Sequence, residues 1–130
     1  MTKLKLFPML GLAVIALGVS TCGGVTDSRE SARDKATKAT CDRYQSCGLI
    51  GPNADDTYVT YDSCSTIWKG TWEGWWPVAT CTAINQSGLN VCLSAIAATD
   101  CTIPGDFLLT LTKCQEVDVC LPPPSTADGG

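Results

Sequence analysis

Eight cysteines fall between Cys41 and Cys120, and a ninth, Cys22, stands well apart from them. The eight are Cys41, Cys47, Cys64, Cys81, Cys92, Cys101, Cys114 and Cys120. Zinc sites are usually built on closely spaced cysteine pairs such as C-x2-C, often completed by histidine. The chain has no C-x2-C pair and no histidine at all. Thioredoxin-like redox chemistry also needs C-x-x-C. An even set of cysteines in a small exported chain reads as a disulfide framework. That reading constrains the fold. A body of about 80 residues buries limited apolar surface and gains limited stability from its core alone. Each bridge typically contributes about 2–4 kcal/mol, chiefly by restricting the unfolded chain, so four are comparable to the whole net stability of an ordinary domain, about 5–15 kcal/mol. Spacing does not choose among the pairings. The closeness of expected helix ends suggests Cys47 with Cys64 and Cys41 with Cys120. For the middle four, Cys81 with Cys92 and Cys101 with Cys114 are preferred.

The first residues supply the export signal. Lys3 and Lys5 make a basic start, and Leu6 to Val19 runs for 14 residues without a charge. A membrane-spanning helix needs about 20. The basic start, apolar run and small-residue exit come in the order of a secretory signal peptide; a buried N-terminal helix is the alternative. Val19-Ser20-Thr21-Cys22 resembles a bacterial lipobox, with Thr21 standing where Gly, Ala or Ser is usual. That resemblance implies cleavage after residue 21, diacylglycerol on the Cys22 sulfur and an acyl chain such as palmitate on the new amine. Ordinary cleavage nearby, leaving Cys22 as a free or intermolecular thiol, is the alternative. Gly23, rather than aspartate, follows Cys22, which favours the outer membrane. Each buried methylene is worth about 0.8 kcal/mol and one chain anchors only marginally, so several acyl chains would hold the protein firmly. With Cys22 assigned to lipid, the remaining cysteines are even in number.

Charge narrows the partners. The chain carries 9 basic and 13 acidic residues, net −4, and loss of Lys3 and Lys5 takes it to −6. An acidic surface does not suit nucleic acid, which needs clustered Lys and Arg, and anionic headgroups would repel it weakly. Membrane attachment therefore falls to the lipid.

Helical signals dominate the rest, and the expected fold is mainly α: a disulfide-stapled bundle of about four short helices. The expected organisation is a signal peptide at 1–21, a linker at 22–30, the cysteine-rich domain at 31–121 and a disordered tail at 122–130. Asp27-Ser28-Arg29-Glu30 resembles a capping box led by Asp27. Ala32, Ala36, Ala39 and Tyr44 form a weak apolar stripe, Asp34 and Lys38 an i,i+4 pair, and the outer half of this helix reads as a solvated spacer. Gly48 is a helix stop. Thr60 is a candidate N-cap for a second helix whose Tyr61, Cys64, Trp68, Trp72 and Trp75 share a face. Gly70 and Gly74 predict that its second half is loose or broken, and Pro77 ends it. Ser87 is the expected cap of a third helix, with Leu89, Cys92, Leu93 and Ile96 on one face. A fourth begins near Pro104, with Asp106 in its first turn and Phe107, Leu108, Leu111 and Cys114 facing inward; "LLTLTK" also alternates, so a strand is the alternative there.

Catalytic signals are weak. A Ser or Cys nucleophile needs an activating base, and histidine is missing. Asp55-Asp56 is the only adjacent acidic pair, set in an ordinary turn, and supports a small-hydrolase reading only thinly. Asn53, Asp55 and Thr57 resemble the start of a calcium loop, but Tyr58 takes the place of the required glycine. No cofactor or metal is expected. The unusual feature is "IWKGTWEGWWP", with Trp68, Trp72, Trp75 and Trp76. Helical spacing assigns Trp68 and Trp72 to the core. Trp75 and Trp76 are adjacent and cannot both face inward on a helix, so one of them is expected to be exposed, and that one is the candidate contact residue for an envelope protein or a glycan.

The stretch from Cys41 to Cys120 carries C-D-R-x-x-x-C-G before a glycine-proline loop, N-x-C-L-x-x-I in a helix that leads to D-C, and a final C-x5-C. It is similar to a family of small cysteine-rich myxobacterial lipoproteins known as natural product biosynthesis lipoproteins, whose molecular function is uncharacterised. The resemblance implies a lipid-anchored envelope protein and carries over no catalytic residue. The tryptophan cluster is particular to this sequence. The expected role is a non-catalytic binding or accessory module; a freely secreted disulfide-rich protein is the alternative.

Overall fold

Ser28 begins the folded body by capping the first helix. Its side chain accepts from Ser31 N at 3.1 Å, satisfying an orphan donor of the first turn. The expected cap, Asp27, instead accepts from Lys35 Nζ at 2.7 Å and from Ser31 Oγ at 2.8 Å. The computed structural model describes residues 26–103 and 105–124; the signal segment, Cys22, Pro104 and residues 125–130 lie outside them. The elements are α1 (Arg29–Ser46), α2 (Tyr61–Trp75), β1 (Ala83–Ile84), α3 (Gln86–Ala98), α4 (Asp106–Leu111), α5 (Glu116–Val119) and β2 (Cys120–Leu121). The fold is a small, mainly helical domain stapled by four disulfides. The short α5 and the antiparallel pairing of Ala83 with Leu121 and Ile84 with Cys120 add to the expected four helices.

Local chemistry accounts for most of the boundaries. Gly48 has φ 69°, and Leu49 N donates to Tyr44 O, which closes α1 in a left-handed turn. Thr60 and Ser63 form a reciprocal capping box at the start of α2. Pro77 prevents Trp76 from continuing the helix, and Trp76 leaves with φ −119° and ψ 73°. Gly70 and Gly74 do not break α2. Both lie on its exposed side, while Cys64, Trp68 and Trp72 are buried on the other; packing outweighs helix propensity there. Asn85, not Ser87, caps α3, accepting from Gly88 N at 3.3 Å. Its amide also donates to Asp118 O at 3.0 Å, a tertiary contact that selects it. Gly88 is required, because a Cβ there would lie 1.8 Å from that same carbonyl oxygen.

α1 is the strut of the domain rather than a solvated spacer. Ala32 and Ala36 are fully buried, and Arg29, which lies ahead of the expected domain boundary, is buried too. Arg29 Nε donates to Trp76 O and its Nη2 to Glu73 Oε1, so the guanidinium caps the C-terminal end of α2. Near the other end of α1, Arg43 donates to Thr99 O, the C-cap carbonyl of α3. Cations at helix C-termini satisfy free carbonyls and complement the macrodipole. Lys38 pairs with Asp42 and Asp34 with Lys69, so the expected Asp34–Lys38 pair does not form. Arg29→Ala is expected to cost about 1.5–3 kcal/mol, because it leaves a buried carbonyl without its charged donor. Arg29→Lys should restore only part of that, since one ammonium lacks the planar fork. Chemical denaturation of the two variants checks the order.

The disulfides are Cys41–Cys64, Cys47–Cys101, Cys81–Cys120 and Cys92–Cys114. None of the pairings expected from sequence occurs: not Cys47–Cys64, Cys41–Cys120, Cys81–Cys92 or Cys101–Cys114. α2 runs antiparallel to α1, and this sets Cys64 beside Cys41 in mid-helix instead of beside Cys47 at the helix end. Cys47 is left to hold the turn after α3. The return of β2 onto β1 brings Cys120 to Cys81.

Candidate functional site

Trp68 and Trp72 lie one helical turn apart on the buried side of α2, with ring centroids at 5.5 Å. Trp72 in turn stacks on Trp76 at 4.9 Å. Phe107 and Tyr44 extend the cluster: Phe107 lies 5.6 Å from Trp68 and 4.7 Å from Tyr44, and Tyr44 meets Tyr58 edge-on at 5.0 Å. These rings form a continuous aromatic spine across the domain. Trp68 Nε1 donates to Tyr58 Oη at 2.9 Å and Trp76 Nε1 to Cys114 O at 2.9 Å. Trp72 Nε1 is buried without a partner among the described residues.

The structure separates the two candidate contact residues. Trp76 is fully buried and is therefore removed from any contact role. Its exit from helical geometry after Trp75 turns the ring back onto Trp72, so the helical-face argument does not apply to it. Trp75 is 37% exposed, edge-on to Trp72 at 5.7 Å. Trp75 is the tryptophan open to solvent at the end of α2.

Other apolar side chains are more exposed than Trp75. Leu108, expected to face inward, and Leu109 lie on the outer face of α4, while Phe107 and Leu111 supply the inward contacts. Val78, Val117 and Leu121 are also exposed. Val117 and Leu121 line a shallow apolar groove with Thr80, Pro122 and Pro123.

The acidic loop residues do structural work. Asp56 Oδ2 accepts from Asn53 N at 2.8 Å, closing the turn that Asp55 shares. Gly51 leaves room for that carboxylate, since a Cβ would lie 2.6 Å from Asp56 Oδ2. Among the described residues, Asp55 and Asp56 belong to no cluster of three or more carboxylate, cysteine or histidine side chains that could hold a metal ion.

Electrostatics around α1 predict the pH response. Hydrogen bonds from Lys38 and Tyr61 hold the Asp42 carboxyl below the usual range. Lys35 and Ser31 do the same for Asp27, and Arg29 and Arg33 for Glu73. Carboxylates of lowered pKa stabilise the fold above the pKa of the unfolded chain, about 4, and that contribution disappears as pH falls through the folded value. Tyr44 and Tyr61 are pushed up to about 12, first by burial, then by Tyr58 and Asp42 respectively. Their neutral forms stabilise the fold below about pH 10, and the contribution is lost as pH rises through 10 toward 12. With no histidine, thermal stability should be flat from about pH 5 to 9 and fall on both sides. A step near neutral pH in melting temperature would contradict this assignment.

A family of unknown function, DUF6184, matches residues 41–122, and the chain belongs to that family. The match begins at Cys41 in mid-α1 and ends just past β2, taking in all eight bridged cysteines. No curated protein and no solved structure matches the chain.

Proposed function

We propose that this member of the DUF6184 family is a lipid-anchored cell-envelope protein whose helical head is a non-catalytic binding or accessory module. The observation that carries the reading is the four-bridge head. Eight cysteines are all paired within one small domain, which fits an oxidising compartment and not a reducing cytosol. The basic start and short apolar run before Cys22 supply the route of export. Cys22 is the anchor, and Gly23 after it favours the outer membrane. The exposed apolar side chains of Leu108 and Leu109 on α4 support a contact role, with an envelope protein or glycan as the partner class.

Membrane partition tests the reading. The wild-type chain, produced in a bacterial host that lipidates exported proteins, is expected to sediment with membranes and to stay there through a high-salt wash. Cys22→Ser should move the folded protein into the soluble exported fraction. Equal partition of the two would count against the anchor and for a freely secreted protein.

A further inference from the structure

The helix directions define two ends of the head. Asp27 N donates to Gln86 Oε1 at 3.1 Å, which places the starts of α1 and α3 together. Arg29 binds Glu73 and the Trp76 carbonyl, which places the end of α2 beside them. The contact of Asn85 with Asp118 O and the pairing of β1 with β2 add α5 and the C-terminal ribbon to the same end. Arg43 on Thr99 O and Tyr61 Oη on Asp42 mark the other half of the bundle.

Apolar side chains exposed at the first end include Trp75 at 37%, Val78 at 69%, Val117 at 79% and Leu121 at 43%, with Val91 beside Val117. This is also the end from which the chain leads back to Cys22. The five residue steps from Cys22 to Asp27 reach at most about 17 Å. α1 has 18 residues and is about 27 Å long. The tether therefore keeps this end near the bilayer, and an upright head cannot turn its far end down to it.

We infer that this end, through Trp75, Val78, Val117 and Leu121, rests in the headgroup region of the membrane that holds the anchor. The inference rests on the lipid anchor proposed at Cys22. An indole with one apolar face and one polar edge suits the interface between headgroups and acyl chains. Arg29 and Arg33 at this end are already engaged by Glu73 and Lys35 by Asp27, and Lys113, beside Val117, is outnumbered by Glu116 and Asp118. Attraction to anionic lipid is therefore not the driving force, and zwitterionic lipid is the surface the end fits. Contact at Trp75 would fix the orientation of the head, leaving Leu108 and Leu109 on α4 turned away from the membrane.

Tryptophan emission from the full lipidated chain, reconstituted in phosphatidylcholine vesicles with or without brominated acyl chains, tests this. Trp68, Trp72 and Trp76 are buried, so Trp75 is the ring that bromine reaches. The expected result is lower emission in the brominated vesicles, with that loss removed in Trp75→Phe and reduced in Val78→Asp and Val117→Asp, while all variants float with the vesicles. Near-ultraviolet circular dichroism checks that each variant retains its packed aromatic spine. Flotation with identical emission in both vesicles overturns the inference and leaves the anchor intact. Failure of the wild-type chain to float removes the anchor and the inference together.

Discussion

Reduction of all four disulfides is expected to unfold the domain at 37 °C. Each bridge contributes about 2–4 kcal/mol, and the body they hold is small. Their contributions overlap, but even two would consume much of the net stability of an ordinary domain, about 5–15 kcal/mol. The bridges should not open together. Cys41, Cys64, Cys81, Cys92, Cys114 and Cys120 are all buried, whereas Cys101 is exposed and its partner Cys47 is half-buried. Exchange needs a thiolate to reach a sulfur, so Cys47–Cys101 should be lost first as reductant is raised. It also spans the longest separation, 54 residues, and the chain-entropy argument gives its removal a cost of about 4 kcal/mol. Cys47→Ala with Cys101→Ala should therefore lower stability while leaving the aromatic spine packed. Alkylation with mass mapping along a reductant titration follows the order, and earlier labelling of any other pair would contradict it.

Trp76→Ala is expected to cost about 3–5 kcal/mol, the range for emptying a large buried aromatic site. Trp72→Ala belongs to the same class, since both rings are fully buried and stacked on one another. Conservative variants separate them. Trp76→Phe loses the bond from Nε1 to Cys114 O and leaves that carbonyl unsatisfied, at about 1–3 kcal/mol. Trp72 Nε1 has no such partner, so Trp72→Phe loses ring volume and no hydrogen bond. Trp76→Phe should thus be the more destabilising of the two in urea denaturation. The reverse order would mean that the Trp76 indole is not held as described.

Features decided by a few neighbouring residues were legible in the sequence. Gly48, the Thr60 cap and the stop at Pro77 all act through local backbone chemistry, and the structure has each of them. The inward faces of α2 and α3 were legible for a similar reason: Cys64, Trp68, Trp72, Leu89, Cys92 and Ile96 repeat at helical spacing and are buried. Features decided by packing were not legible. Asn85 and Ser87 are both good caps, and it is the contact of Asn85 with α5 that selects it. Arg29 looks like a surface charge until α2 supplies Glu73 and a free carbonyl. The disulfide pairing depends on the direction of each helix and on the return of the chain to β1, which cysteine spacing does not encode. Trp76 illustrates the limit most clearly: once Pro77 breaks the helix, the helical wheel no longer says where the next ring points.

The candidate site was legible in part. The sequence directed attention to the end of α2, and Trp75 is open to solvent there. It did not reveal that Val78, Val117 and Leu121 gather at the same end, because α5 and the ribbon bring them from distant parts of the chain.

The mass of the mature protein, taken from a lipidating bacterial host before and after reduction and thiol alkylation, tests the anchor and the four bridges together. The predicted result is a chain that begins at Cys22 and carries added acyl mass. No thiol should react before reduction and eight should react after it, matching the four bridges. A mature chain without acyl mass, with Cys22 reacting as a ninth thiol, would contradict the lipid anchor.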